Sequence, residues 1–170
     1  MSKGFIILIL LCSFSGTAFA QTEREGDLKA VFIYNFTKYV DWDASNNDND
    51  FVIGVIGSSP ITPSLAEIAK TNTVKNKRIV VKQFNRPEDI SGCKILFISK
   101  ANNFSLESIL SKVDKGVLTV SEETGFAKLG TAFNFVNVKD KLKFEVNLTN
   151  VYSAGLKVSS QLLKLAIIVD

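Results

Sequence analysis

Residues 116–148, GVLTVSEETGFAKLGTAFNFVNVKDKLKFEVNL, read as a buried strand, a glycine-bracketed turn and a two-stranded ribbon, and the rest of the chain is placed around them. Val117, Leu118 and Val120 form a short apolar run that stops at the polar cluster Ser121, Glu122, Glu123 and Thr124, the pattern of a strand covered on both faces that ends in a loop. Gly125 and Gly130 bracket the turn. Phe133, Phe135 and Val138 follow, interleaved with polar residues, and Lys139-Asp140-Lys141 reverses the chain. From Leu142 to Leu148 apolar and polar residues alternate strictly, so one face is buried and the other wet. No reaction chemistry is visible in this stretch.

Upstream, the pattern is strand, turn, helix, repeated. Phe51–Ile56 is an apolar run of strand length that ends in Gly57-Ser58-Ser59-Pro60 before helical spacing resumes at Leu65, Ile68 and Ala69. Arg78–Phe84 is the next strand, Arg86–Ile90 a helical turn, and Cys93–Ile98 another strand leading into Ser99-Lys100-Ala101. Ser105 caps a helix with Leu106, Ile109, Leu110 and Val113 at core spacing. The reading is α/β: a three-layer sandwich with a Rossmann- or flavodoxin-like mixed sheet, mostly parallel, closed by a C-terminal antiparallel ribbon and covered by helices on both faces.

Two flanking segments read as helices with surplus apolar surface. Asp27–Trp42 has Leu28, Val31, Phe32, Phe36, Tyr39 and Trp42 at helical spacing, with Ile33, Tyr34 and Val40 outside that stripe. Thr149 to about Ile168 reads as one helix capped by Thr149, its wide apolar arc including Leu156, Leu163 and Ile167, and its Gly155 marking a close crossing. Such surplus is absorbed by neighbouring helices, by a second copy or by a partner, which makes Tyr34, Tyr39, Trp42, Leu156, Leu163 and Ile167 candidate dimer or partner contacts.

The first 20 residues have a positive Lys3, an apolar run Phe5–Leu11 and the small-residue pattern Ala18-Phe19-Ala20, so a signal peptide cleaved after Ala20 is expected, leaving residues 21–170 as one exported domain. Loss of Lys3 lowers the formal net charge from +3 to +2, with charges interspersed, which gives no basis for nucleic-acid binding. Cys93 is then the one remaining thiol, expected buried in its strand and without an intrachain disulfide. Asp and Asn in residues 44–50 lack the glycine and glutamate of a calcium loop, and no metal or cofactor is expected. The three N-x-[ST] matches at Asn35, Asn103 and Asn147 are taken as chance.

With no histidine, the Ser-His-Asp and Cys-His routes to nucleophile activation and most zinc sites are absent, and the acids are scattered, so an enzyme is not expected. A small-molecule site would lie beyond the carboxyl ends of the strands, at Ser58, Ser59, Ser99, Ser121, Glu122 and Phe126.

Four blocks, LKAVFIYNFTKYVDW (28–42), CKILFIS (93–99), VLTVSEETGFAKLGTAFNFV (117–136) followed by KLKFEVN, and GLKVSSQLLKLA (155–166), resemble the YfiR-like periplasmic proteins, the DUF4154 family. The third block departs from the family pattern, which has an Asp and a Gly-Gly where this chain has Glu122 or Glu123 and Gly130-Thr131. The extra cysteines of some relatives are missing, so redox control through disulfides does not carry over. The resemblance implies a periplasmic regulator, a homodimer, that binds and restrains the periplasmic sensor region of an inner-membrane signalling protein. A YfiN-like diguanylate cyclase with cyclic di-GMP output is the best-known partner of the family. The alternative is a small-molecule-binding sensor domain that serves a histidine kinase or another membrane partner, and an effector could act in either case.

Overall fold

The computed structural model describes residues 16–42 and 49–170. The expected leader therefore lies outside the described residues except for the backbone of 16–20, and the 44–50 loop except for its last two residues. In chain order the elements are α1 (Gly16–Tyr39), β1 (Val40–Asp41), β2 (Asp50–Ile56), α2 (Ile61–Thr71), β3 (Thr73–Val74), β4 (Lys77–Phe84), a 3-10 turn (Pro87–Asp89), β5 (Ile95–Ile98), α3 (Leu106–Leu110), β6 (Leu118–Ser121), α4 (Phe126–Leu129), β7 (Phe133–Val138), β8 (Lys141–Asn147), α5 (Leu148–Ser153), β9 (Lys157–Val158), α6 (Ser160–Leu163) and β10 (Ile167–Val169).

Eight strands make one sheet in the order β10-β8-β7-β6-β5-β2-β4-β3, and β1 pairs with β9 apart from it. Neighbours from β4 to β7 are parallel, and β7 and β8 form the antiparallel ribbon, so the mixed, mostly parallel α/β sheet read from the sequence is the one observed. The ribbon closes through Lys139 and Asp140, both at positive φ (50° and 58°), the two-residue hairpin turn whose twist matches the strands. Lys75 and Asn76 do the same between β3 and β4, a hairpin the sequence reading did not contain.

Because side chains alternate across a strand, β5 feeds two cores at once. Ile95 and Phe97 point into a core roofed by Ile33 and Phe36 of α1 and Leu65 of α2, whereas Leu96 and Ile98 join Ile56, Phe84, Ile109 and Cys93 on the opposite face. The first core is dense in aromatics: the Phe36 ring lies 4.8 Å from Phe133 and 5.0 Å from Phe144, both edge-on. On the other face, Gly54 in β2 leaves room for the ring of Phe84, since a Cβ there would lie 2.5 Å from its Cε2.

Both flanking segments differ from the expected helices. α1 stops at Tyr39, and its buried side is Gly26, Lys29, Ala30, Ile33, Phe36 and Thr37, rotated away from the expected stripe so that Leu28 and Val31 face outward. Residues 149–168 are not one helix but α5, β9, α6 and β10. Gly155 is the reason: at φ 78° it closes α5 in a Schellman turn, with Gly155 N–H donating to the Tyr152 carbonyl and Leu156 N–H to that of Val151. A Cβ there would meet nothing within 4 Å, so the glycine serves the backbone and not a close crossing. The cap of α5 is Asn147, whose side-chain oxygen accepts from Asn150 N–H, rather than Thr149. Ser159 restarts the chain as the cap of α6.

Candidate functional site

The sheet reverses its direction of winding between β2 and β5. The chain leaves β2 through α2 to β4 on one side, then returns to β5 on the other and continues outward to β6. Loops after neighbouring strands at such a point diverge and leave a crevice at the carboxyl ends. Here Ser99 N–H donates to the Ile56 carbonyl and Ser58 N–H to that of Ala101, which draw the two loops together at their base. Gly57 is needed at that contact, being at φ 87° with Asn102 Cβ only 2.7 Å from where its own Cβ would stand.

A cleft of 340 Å³ opens above, lined by the two loops, Glu122 and the middle of α1 at Glu25, Gly26 and Lys29. On its floor, Lys29 Nζ lies 2.6 Å from both Glu122 Oε2 and Glu25 Oε1. The Lys29 and Glu122 side chains are only 8% and 7% exposed, so each meets its partner where water is largely excluded. Burial of the ammonium works to lower its pKa, yet the hydrogen bonds and charges of Glu122 and Glu25 outweigh it and the net direction is up. Glu122 Oε1 accepts the Lys100 N–H at 3.1 Å and stands 3.1 Å from Ser99 Oγ. The Ser99 hydroxyl has its shortest acceptor in the Ser58 carbonyl, at 2.7 Å, and is itself buried, which makes it a strut between loops and not a nucleophile.

Of the ligand residues expected from the sequence, Ser58, Ser59, Ser99 and Glu122 surround this one cleft. Ser121 does not, because successive residues of a strand face opposite ways: its hydroxyl is buried behind β6, 2.7 Å from Asn134 Oδ1 and 2.8 Å from Thr131 Oγ1. Phe126 packs on the second core, on the far face. Lys29 and Lys100 were missed. A signal for Lys29 was present, since it stands three residues after Gly26 and four before Ile33, on the buried line of α1, where a lone charge requires a partner.

The candidate contact residues divide. Trp42 is buried, its indole N–H donating to the Lys94 carbonyl at 3.1 Å and its ring edge-on to Phe51, and Leu156 is 2% exposed. Their expected availability to a partner is corrected: both complete the chain's own core. Tyr34, Tyr39 and Leu163 lie at the margin of that core, and Ile167 is half-buried in β10. The large apolar groups that do face solvent include Leu28, Val31, Tyr152, Leu165 and Ile168.

Among the described residues no group of acids, cysteines or histidines is arranged to hold a metal, and no helix is long and apolar enough to cross a membrane. The family model DUF4154, YfiR/HmsC-like, matches residues 26–167.

Proposed function

The chain belongs to the YfiR/HmsC-like family, and from that premise we propose that it is a periplasmic regulatory protein, exported by residues 1–20, that binds and restrains the sensor region of an inner-membrane signalling protein. A YfiN-like diguanylate cyclase is the proposed partner, cyclic di-GMP the proposed output, and a homodimer the proposed resting form. No catalytic role is assigned.

The observation that supports this reading is the outer line of α1. Leu28 and Val31 are 46% and 47% exposed although they flank a tightly packed helix, and Tyr34, one turn on, carries the Lys38 ammonium 4.5 Å above its ring. Residues three apart share a helix face, so these side chains form a continuous apolar ridge with a cationic end. Aromatic and aliphatic groups of this kind anchor protein interfaces, and Tyr34, Tyr39, Leu163 and Ile167 stay as candidate contacts beside them.

Deleting the gene is expected to raise cellular cyclic di-GMP. Complementation with wild type is expected to restore it, and Val31→Asp, exported and folded to the same extent, to leave it raised. An unchanged cyclic di-GMP level after deletion would remove the cyclase from the proposal. Full complementation by Val31→Asp and Tyr34→Asp together would remove the ridge.

A further inference from the structure

We propose that the cleft at the carboxyl ends of β2 and β5 binds a small organic anion, its charged head held by Ser58, Ser59 and Lys100. This goes beyond the regulatory reading and does not depend on it. The 340 Å³ volume is that of a small-molecule site, and it sits where the sheet changes its direction of winding.

The sign of the ligand follows from which hydrogen-bonding groups are still unused. The lining carboxylates are engaged: Glu122 holds Lys29 through one oxygen and the Lys100 N–H through the other, and Glu25 holds Lys29. The donors are not. Ser59 Oγ accepts from Ile61 N–H, which leaves its proton to give, and among the described residues neither the Ser58 hydroxyl nor the Lys100 ammonium has a partner. Glu122 and Glu25 already balance the Lys29 charge, so the sign rests on the spare hydroxyl donors beside the Lys100 ammonium, which favour an anion, carboxylate or phosphate monoester.

The rest of the ligand is expected to present at least one apolar face. Pro60 and Ala101 face the same cleft, and an adjoining cleft of 380 Å³, which shares Glu25, Lys29, Lys100 and Glu122 with it, has Phe135, Val136 and Leu142 in its wall beside Glu123, Thr124 and Asn137. A head at the serines and a body lying along the Lys100 stem toward Phe135 uses both.

The test is titration of the full chain, followed by amide chemical shifts, with 3-phenylpropanoate and phenyl phosphate as probes and 3-phenylpropanamide and inorganic phosphate as controls. At least one organic anion is expected to give saturable shifts at Ser58, Ser59, Lys100 and Ala101 below about 10 mM, with the amide and inorganic phosphate at least about tenfold weaker. Lys100→Ala, an exposed position whose backbone bond to Glu122 is retained, is expected to weaken binding about tenfold with the melting temperature unchanged. Ser58→Ala with Ser59→Ala supplies a second, independent loss. The proposal is overturned by absence of saturable shifts with both organic probes, by equal binding of the amide or of inorganic phosphate, by shifts confined to another face, or by unweakened binding in folded Lys100→Ala.

Discussion

Lys29 occupies a place where helices carry aliphatic residues, with Ala30 and Ile33 as its neighbours on the buried side of α1, and its ammonium is held by the buried Glu122 and the more exposed Glu25. Removing one member of a buried pair leaves the other charged without a partner, which costs about 3–5 kcal/mol, whereas the half-exposed Glu25 contact is worth about 0–1. Lys29→Met is therefore expected to lower stability in urea by several kcal/mol, and adding Glu122→Gln to recover part of it, since a neutral amide can still accept from Lys100 N–H. The pH dependence has a definite sign. A lysine whose pKa is raised on folding stabilises fully below its unfolded value, near 10.5, and the contribution is lost as pH climbs through the higher folded value. The stability difference between wild type and Lys29→Met should thus be flat through neutral pH and, on the alkaline side, shrink above about pH 10.5, as read from urea midpoints.

The burial of Cys93 was legible in the sequence because the apolar run Ile95–Ile98 follows it, although the strand itself starts at Ile95 and not, as expected, at Cys93. Burial pushes its thiol from 9.0 up to about 11, so at pH 8 it is expected to resist iodoacetamide in the native protein and to react on unfolding. Rapid native labelling would show an open strand end. Lys29 was hidden because the apolar residues of α1 are numerous enough to support two stripes, and periodicity alone selected the one containing Leu28 and Val31. What decides between them is the packing of Phe36 against Phe133 and Phe144, a contact between residues about a hundred positions apart.

Among the elements, the C-terminal segment shows how one backbone angle redirects a reading. Apolar spacing in residues 149–168 is compatible with a helix, and a glycine inside a helix lowers stability by about 1 kcal/mol relative to alanine. On that view Gly155→Ala would stabilise. In the fold, Gly155 sits at φ 78° and terminates α5, so alanine must adopt a left-handed conformation that costs about 1–2 kcal/mol. Gly155→Ala is accordingly expected to lower the urea midpoint, and the sign of the shift alone separates the two accounts. The ribbon was easier to read, since strict alternation and a two-residue turn are both local properties, and β7 and β8 appear where the alternation places them. β3, only two residues long, offers no period to detect.

For the whole molecule, the class of fold was legible from the strand-helix alternation, whereas the strand order was not, because nothing in a strand's own residues says which neighbour it takes. That order has a mechanical consequence. β2 and β5 lie side by side within the sheet and supply residues to both cores, so the two cores are expected to come apart together. Phe36→Ala in the first core and Ile109→Ala in the second each remove a fully buried side chain, at about 3–5 and 2–5 kcal/mol respectively. At about 2–4 °C per kcal/mol for a domain of this size, both should lower the melting temperature by roughly 5 °C or more. Trp42 reports on the first core, being edge-on to Phe51 within it, while far-ultraviolet circular dichroism reports on the whole sheet. If the sheet couples the two faces, Ile109→Ala shifts the Trp42 fluorescence transition and the dichroism transition together, although Ile109 lies across the sheet from the indole. A fluorescence midpoint left in place while the dichroism midpoint falls would mean that the second core melts alone, and that the central strands do not bind the two layers into one cooperative unit.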